Sequence, residues 1–311
     1  MNRFLVCLLW LTALYSRAAD PAPGAPIFGE HGYVEYLLGD LPIVFSAPHG
    51  GYLTPDEVAE RTVGVRQADV HTQELARTVA EVIHERTGHR AHLIICHLHR
   101  SKLDANREIG EAAGDDLQAQ QAWRDYHGFI EQARAAAVAR FGSAFFIDLH
   151  GQGHPGQRVE LGYLHSVEDL AREDSALDTP EVAAASSLRL IAERSHLPYP
   201  EIMRGGSSLG ALLEGLGFPC TPSPSAPHPI APYFRGGYSV ERHCKVELHT
   251  VGLQIECFRK GLRDTAEKRL AFAHALVTAL EKFLPAQLGI ALTGDGAAPG
   301  SPVSARERAA Q

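Results

Sequence analysis

The sequence predicts an α/β fold: three layers, with a mainly parallel or mixed sheet carrying helices on both faces. Three observations predict it. Short, apolar, β-branched runs alternate with longer segments whose apolar residues recur at helical spacing. The runs at 91–98, 144–149 and 251–258 are predominantly apolar, as strands covered on both faces are. With 311 residues, 45% apolar and only 21% charged, the chain has material for a large core and lacks the signature of disorder.

The elements follow in order. Tyr33 to Leu38 and Leu41 to Ser46 read as short strands around the turn signal Gly39-Asp40. Arg66 to Thr87 carries Leu75, Val79, Val82 and Ile83 at helical spacing, and Gly88 ends it. Ala91 to Leu98 is a buried strand. Asp116 to Phe141 is a long Ala-rich helix closed by Gly142, followed by the strand Ala144 to Leu149. Val159 to His165 reads as a further strand. Pro180 opens a helix predicted to run to Arg194, and Leu209 to Leu216 is a shorter one. Pro219 to Gly237 is rich in Pro, Ser and Gly and reads as a long loop of the kind that often lines a site. Val251 to Phe258 is a strand and Asp264 to Phe283 a helix. The expected organisation is one domain over 27–285, with a disordered tail over 286–311.

The formal charge of −8 argues against a nucleic-acid partner, because phosphate binding needs a basic face. Arg3, the apolar run Phe4 to Tyr15 and the small residues of Ser16-Arg17-Ala18 form a secretory signal over 1–18. That run is too short to span a bilayer, which needs roughly 20 apolar residues. The expectation is therefore a secreted or periplasmic protein without a stable membrane span, its net charge moving from −8 to −10 on cleavage. Of the cysteines that remain, Cys220 and Cys244 lie in loop-like sequence and are the expected pair in an oxidising compartment; buried free thiols are the alternative.

In parallel-sheet folds, ligands bind beyond the carboxyl ends of the strands. Four clusters sit there. Ser46-Ala47-Pro48-His49-Gly50-Gly51 leaves a strand with a stiff proline, a histidine and two glycines that let backbone approach closely. Ile147-Asp148-Leu149-His150-Gly151 ends a buried strand with a polar pair, and alternation puts Asp148 and His150 on one side. Asp148 can then orient His150; a purely structural Asp–His bond is the alternative. Leu103-Asp104-Ala105-Asn106-Arg107 offers an Arg fork and an amide suited to a carboxylate, unless it is a surface loop. Leu253-Gln254-Ile255-Glu256-Cys257 carries a carboxylate inside an apolar strand, where burial raises its pKa toward that of a general base. An ion pair with Arg259 or Arg235 is the alternative.

These pieces resemble the N-formylglutamate amidohydrolase (deformylase) family, which is related to the zinc carboxypeptidases. The resemblance rests on the four motifs, on Asp69 at a helix start, and on Tyr233-Phe234-Arg235-Gly236-Gly237-Tyr238, in the family's order from His49 to Arg259. It implies a phosphorylase/hydrolase-like fold and one zinc ion held by His49 and His150. It also implies Glu256 as general base and Asn106 and Arg107 as the grip on a substrate carboxylate; Arg235 and Tyr238, at the end of the long loop, are candidates to polarise the carbonyl or touch the substrate. Related carboxypeptidases place a Glu three residues after the first His, where this chain has Tyr52. Asp69 is the substitute third ligand, with Glu57, Asp148 and His71 as alternatives.

The implied reaction is hydrolysis of an amide in an N-acyl amino acid or short peptide with a free carboxylate. The export signal widens the substrate beyond formylglutamate to other N-acyl amino acids, γ-glutamyl peptides or cell-wall peptides. The competing readings are a non-hydrolytic carboxylate- or peptide-binding protein on the same scaffold and a ferrous oxygenase using two His and one carboxylate.

Overall fold

The computed structural model describes residues 22–294. The predicted signal segment and most of the predicted tail lie outside the described residues. Eight strands form one mixed sheet: β1 (Pro26–Phe28), β2 (Val34–Leu37), β3 (Ile43–Ala47), β4 (His92–Cys96), β5 (Ala144–Gln152), β6 (Val159–Gly162), β7 (Cys220–Thr221) and β8 (Thr250–Phe258). Their spatial order is β1-β2-β4-β3-β5-β8-β6-β7. The four central strands β4, β3, β5 and β8 run parallel to one another; β1 with β2, β2 with β4 and β6 with β8 pair antiparallel, and β7 runs parallel to β6. β2 and β3 flank the Gly39-Asp40 turn but do not pair, because β4 lies between them and bonds both.

The helices are α1 (Thr72–Thr87), α2 (Ile109–Ala113), α3 (Leu117–Phe141), α4 (Val167–Leu170), α5 (Asp174–Leu177), α6 (Pro180–Ala184), α7 (Arg189–Arg194), α8 (Tyr199–Arg204), α9 (Leu209–Gly215), α10 (Tyr238–His243) and α11 (Ala266–Leu288). Asp116 caps α3 by accepting from the Ala119 amide, and Gly142 ends it in the left-handed region at φ 78°. None of the described helices is long and apolar enough to cross a membrane.

Strand alternation sorts the two cores. Ile43, Phe45, Ala47, Phe145, Ile147 and Leu149 pack against α1 and α11. Val44, Ile94, Cys96 and Phe146 turn the other way, against α3. Ser46, Asp148, His150, Gln254 and Glu256 share the parity of the α3 side. At the carboxyl end of the sheet that face carries polar residues instead of core.

Three expectations are corrected. The single helix over 180–194 is two, because Ser186 and Ser187 turn to the Tyr163 carbonyl instead of continuing the ladder, with Ser186 Oγ at 3.1 Å and the Ser187 amide at 3.2 Å. The last helix does not stop at Phe283: buried Leu284 carries it through Pro285 to Leu288, where Gly289 caps it. Cys220 and Cys244 do not pair. Both are buried free thiols, Cys220 in the α1/α11 core and Cys244 in the α3 core, with the sheet between them.

Candidate functional site

His49 leaves the end of β3 through Pro48. The two glycines after it let the chain pass where no side chain would fit: a Cβ on Gly50 would lie 2.5 Å from Thr72 Oγ1, and one on Gly51 would lie 2.1 Å from the Leu98 carbonyl oxygen. This close approach brings the turn before α1 onto the strand end, where the Asp69 amide donates to the His49 carbonyl at 2.9 Å. Register places His150 of β5 beside Glu256 of β8.

Asp69 Oδ2 stands 3.3 Å from His49 Nδ1 and 3.3 Å from His150 Nδ1, and accepts the Gly151 amide at 3.1 Å. One ligand atom from each of His49, Asp69 and His150 lies within 4.8 Å of the others, and all three residues are buried. The far nitrogens are anchored. His49 Nε2 meets Asp104 Oδ1 at 2.6 Å, and His150 Nε2 meets Asp148 Oδ2 at 2.8 Å. Asp148 is itself held by the Ser46 hydroxyl at 2.5 Å. A carboxylate on the outer nitrogen fixes each ring and leaves Nδ1 turned toward the common point, as metal-ligating histidines require.

The electrostatics fit a cation. Burial alone would raise the Asp69 and Asp104 carboxyls, but the imidazoles beside them hold both well below the usual carboxylate range. Burial alone would lower His150, yet Asp148 and Asp69 push it up to about 10. A buried cluster this rich in carboxylates is costly without positive charge at its centre. Arg100 supplies part of it from the edge, 3.5 Å from Asp69 Oδ1 and 3.0 Å from Asp104 Oδ2.

Glu256 completes the cluster. Its Oε1 accepts from Gln254 Nε2 at 2.8 Å and lies 3.9 Å from His150 Nδ1. Its Oε2 is buried and has no hydrogen-bond partner among the described residues. Burial is the main cause of a pKa pushed up to about 8. Neither Arg259 nor Arg235 pairs with it. An orphaned carboxylate oxygen beside two imidazoles and a carboxylate suits a metal site or its proton acceptor.

Asp69 is thus the carboxylate that joins the two histidines. Glu57 instead accepts from Tyr33, Asp148 sits behind His150, and the His71 ring faces Glu74 at 3.6 Å. The structure does not bring the rest of the predicted set to the common point. Asn106 is buried beside His150, its oxygen accepting the Ser239 amide at 2.8 Å and its nitrogen 3.5 Å from Gln254 Oε1. Arg107 turns outward to Glu111 at 3.1 Å and to the Asn106 carbonyl at 2.8 Å. Arg235 is spent on the Leu164 carbonyl and Glu241. The Tyr238 ring packs on Trp123 and His127, and its hydroxyl accepts from Arg242. Each of these side chains has protein partners in the structure.

A cleft of about 760 Å³ opens over Asp69. Arg66, Arg100 and Arg259 line it, and the Arg259 guanidinium has no hydrogen bond or ion pair among the described residues. Phe234 brings the long loop to this cleft and stacks on His154, with ring centroids 4.9 Å apart. Glu160 ties both, accepting the Phe234 amide at 3.0 Å and meeting His154 Nδ1 at 2.7 Å. Sequence reasoning assigned no role to Asp104 or Arg100, and named Arg259 only as an alternative ion-pair partner of Glu256. Asp104 was legible only as the acidic residue heading the Asn106-Arg107 motif.

No protein-family profile matches the chain, and no curated protein matches it in sequence. Among solved structures it is similar to N-formylglutamate amidohydrolase from Ralstonia eutropha JMP134, at 16% identity and a TM-score of 0.50, over 79% of this chain and 95% of that one. It is also similar to a gene product of Agrobacterium tumefaciens, at 16% identity and a TM-score of 0.47, over 82% and 94% of the two chains. The first likeness establishes the fold: this chain has the α/β fold of an N-formylglutamate amidohydrolase.

Proposed function

We propose that the protein is an exported zinc-dependent hydrolase of an amide bond in an N-acyl amino acid or short peptide with a free carboxylate. The observation that carries this reading is the buried His49–Asp69–His150 group with the unpartnered Oε2 of Glu256 beside it. Two imidazoles and one carboxylate match the three protein ligands of a catalytic zinc site, and His49, Asp69 and His150 would hold the ion. A zinc ion held there would supply Lewis acidity for hydrolysis of the amide.

The chain's own residues supply the rest. Asp104 and Asp148 hold the outer Nε2 of each imidazole and so aim Nδ1 inward. Glu256, kept basic by burial, takes a proton from the attacking water on Oε2 and delivers it to the leaving amine. Arg66, Arg100 and Arg259 make the cleft attractive to an anionic substrate and orient its carboxylate. The Phe234–His154 wall limits water at one side of the cleft. The leader read from the sequence supports export, which N-terminal sequencing of the mature protein checks.

The test is metal analysis with a panel of N-acyl amino acids. About one zinc per chain is expected, with hydrolysis lost on chelation and restored by added zinc. Protein that binds no metal and cleaves none of the panel with zinc present would sink the proposal. Carboxylate binding without turnover would instead favour the binding-protein reading.

A further inference from the structure

Arg263 is a buried cation, 4% exposed, at the end of the irregular turn after β8. Among the described residues no carboxylate is hydrogen-bonded to it. Its Nε donates to the Cys257 carbonyl at 3.0 Å, its Nη2 to the Gln152 carbonyl at 3.2 Å, and its Nη1 to the Val70 carbonyl. Each acceptor adjoins the candidate centre. Cys257 follows Glu256, Gln152 lies two residues past His150, and Val70 follows Asp69. Three segments distant in sequence therefore end on one planar group.

The guanidinium reaches them because Gly151 has no side chain. A Cβ there would stand 2.4 Å from Arg263 Cζ. Burial is the main cause of its lowered pKa, with the Cys257, Asp69 and Glu256 groups opposing it. A buried charge satisfied only by main-chain oxygens is expensive. A hydrophobic side chain would serve packing better, whereas a fork with donors in three in-plane directions serves registration.

The geometry points to Arg263 as a positioning residue: by holding the Val70, Gln152 and Cys257 carbonyls together, it sets the mutual placement of Asp69, His150 and Glu256 and so governs metal affinity. This inference rests on the metal reading above.

Zinc affinity measured by competition with a chromophoric chelator tests it, alongside thermal unfolding, in Arg263→Gln, Arg263→Lys and Arg204→Gln. Arg204 is the control: it is also a buried arginine bonded to carbonyls, those of Leu170, Arg172 and Pro227, and besides to the Asp174 carboxylate, none of which adjoins the triad. The expected result is zinc binding about 10–100-fold weaker in both Arg263 variants, as for other residues that orient metal ligands. Arg204→Gln should melt earlier but bind zinc as the wild type does.

The inference is overturned if Arg263→Gln binds zinc like the wild type. It is also overturned if Arg263→Lys restores affinity, which would make charge the cause, or if Arg204→Gln weakens zinc equally. Should Arg263→Gln not fold, Gly151→Ala, which crowds the guanidinium and keeps its charge, is expected to weaken zinc binding, and wild-type affinity there is the overturning result. Wild-type protein that binds no zinc would remove the metal reading itself, an outcome distinct from all of these.

Discussion

Glu256 has one carboxylate oxygen bonded to Gln254 and the other bare. Glu256→Gln keeps the size and the Gln254 contact but cannot accept a proton. Zinc content should hold while turnover falls about 10²–10⁴-fold, the range for loss of a general base. Metal analysis and steady-state kinetics on the same preparation check this. Arg259 and Arg107 make a second pair to compare. The motif pointed to Arg107 as the carboxylate grip, but its guanidinium is engaged by Glu111, whereas Arg259 lines the cleft unpaired. Arg259→Gln is expected to raise KM about 10–100-fold, the value of one charged hydrogen bond. Arg107→Gln should change KM by less than about twofold, since losing a surface pair costs little. Equal effects would restore the grip to Arg107.

At the scale of elements, most strands and the long helices were legible, because a buried strand is apolar and an amphipathic helix is periodic. Asp116 and Gly142 marked the ends of α3 by capping chemistry that is local in sequence. The break between α6 and α7 was not legible, since it depends on the Tyr163 carbonyl just past the end of β6. Nor was the link between α3 and α10. His127 donates from Nε2 to the Ala105 carbonyl at 3.0 Å, so its Nδ1 accepts from His243 Nε2 at 2.9 Å. Burial first, then nearby cations, lowers His127 to about 3, and burial with His127 lowers His243 to about 2. Both rings are neutral in the fold and take a proton only after unfolding. Their contribution is therefore full above the unfolded value near 6.5 and is lost as pH falls from there toward about 3. At pH 5 the loss is about 2 kcal/mol per imidazole. Urea midpoints from pH 7 to pH 5 should fall more steeply for the wild type than for a His127→Gln/His243→Gln double variant; parallel slopes would rule this out.

Across the whole molecule, the sheet separates two cores, and the described cysteines lie free within them. Burial raises every one of these thiols, Cys96 to about 12. A thiol reagent should therefore label none of the four in the native protein and all four after unfolding, and a reductant should leave the melting temperature unchanged. Rapid native labelling or a reductant-sensitive transition would contradict this arrangement. Acid also acts through the packing of α1 on the sheet edge. His97 bonding, opposed by burial and aided by Arg77, holds Glu35 near 2. That stability is present above the unfolded value near 4.5 and is lost as pH falls toward about 2, amounting to about 3 kcal/mol at most. Glu35→Gln should remove this component of acid unfolding, which denaturant titrations between pH 5 and pH 3 will show.

The sequence by itself determined the α/β class, the order of the principal strands and helices, and the strand ends that carry His49, His150 and Glu256. Those properties are written in periodicity, capping and the cost of placing a polar residue in an apolar strand. Only the tertiary structure decided that Asp69, rather than Glu57, Asp148 or His71, joins the histidines, that Asp104 backs His49, and that Arg107 faces away. It also decided that β4 enters between β2 and β3 and that Cys220 and Cys244 lie on opposite faces. The physical reason is common to all of these. Each depends on which distant segments approach, here through Gly50, Gly51 and Gly151, and a side chain's partners across such an approach leave no local trace in the chain.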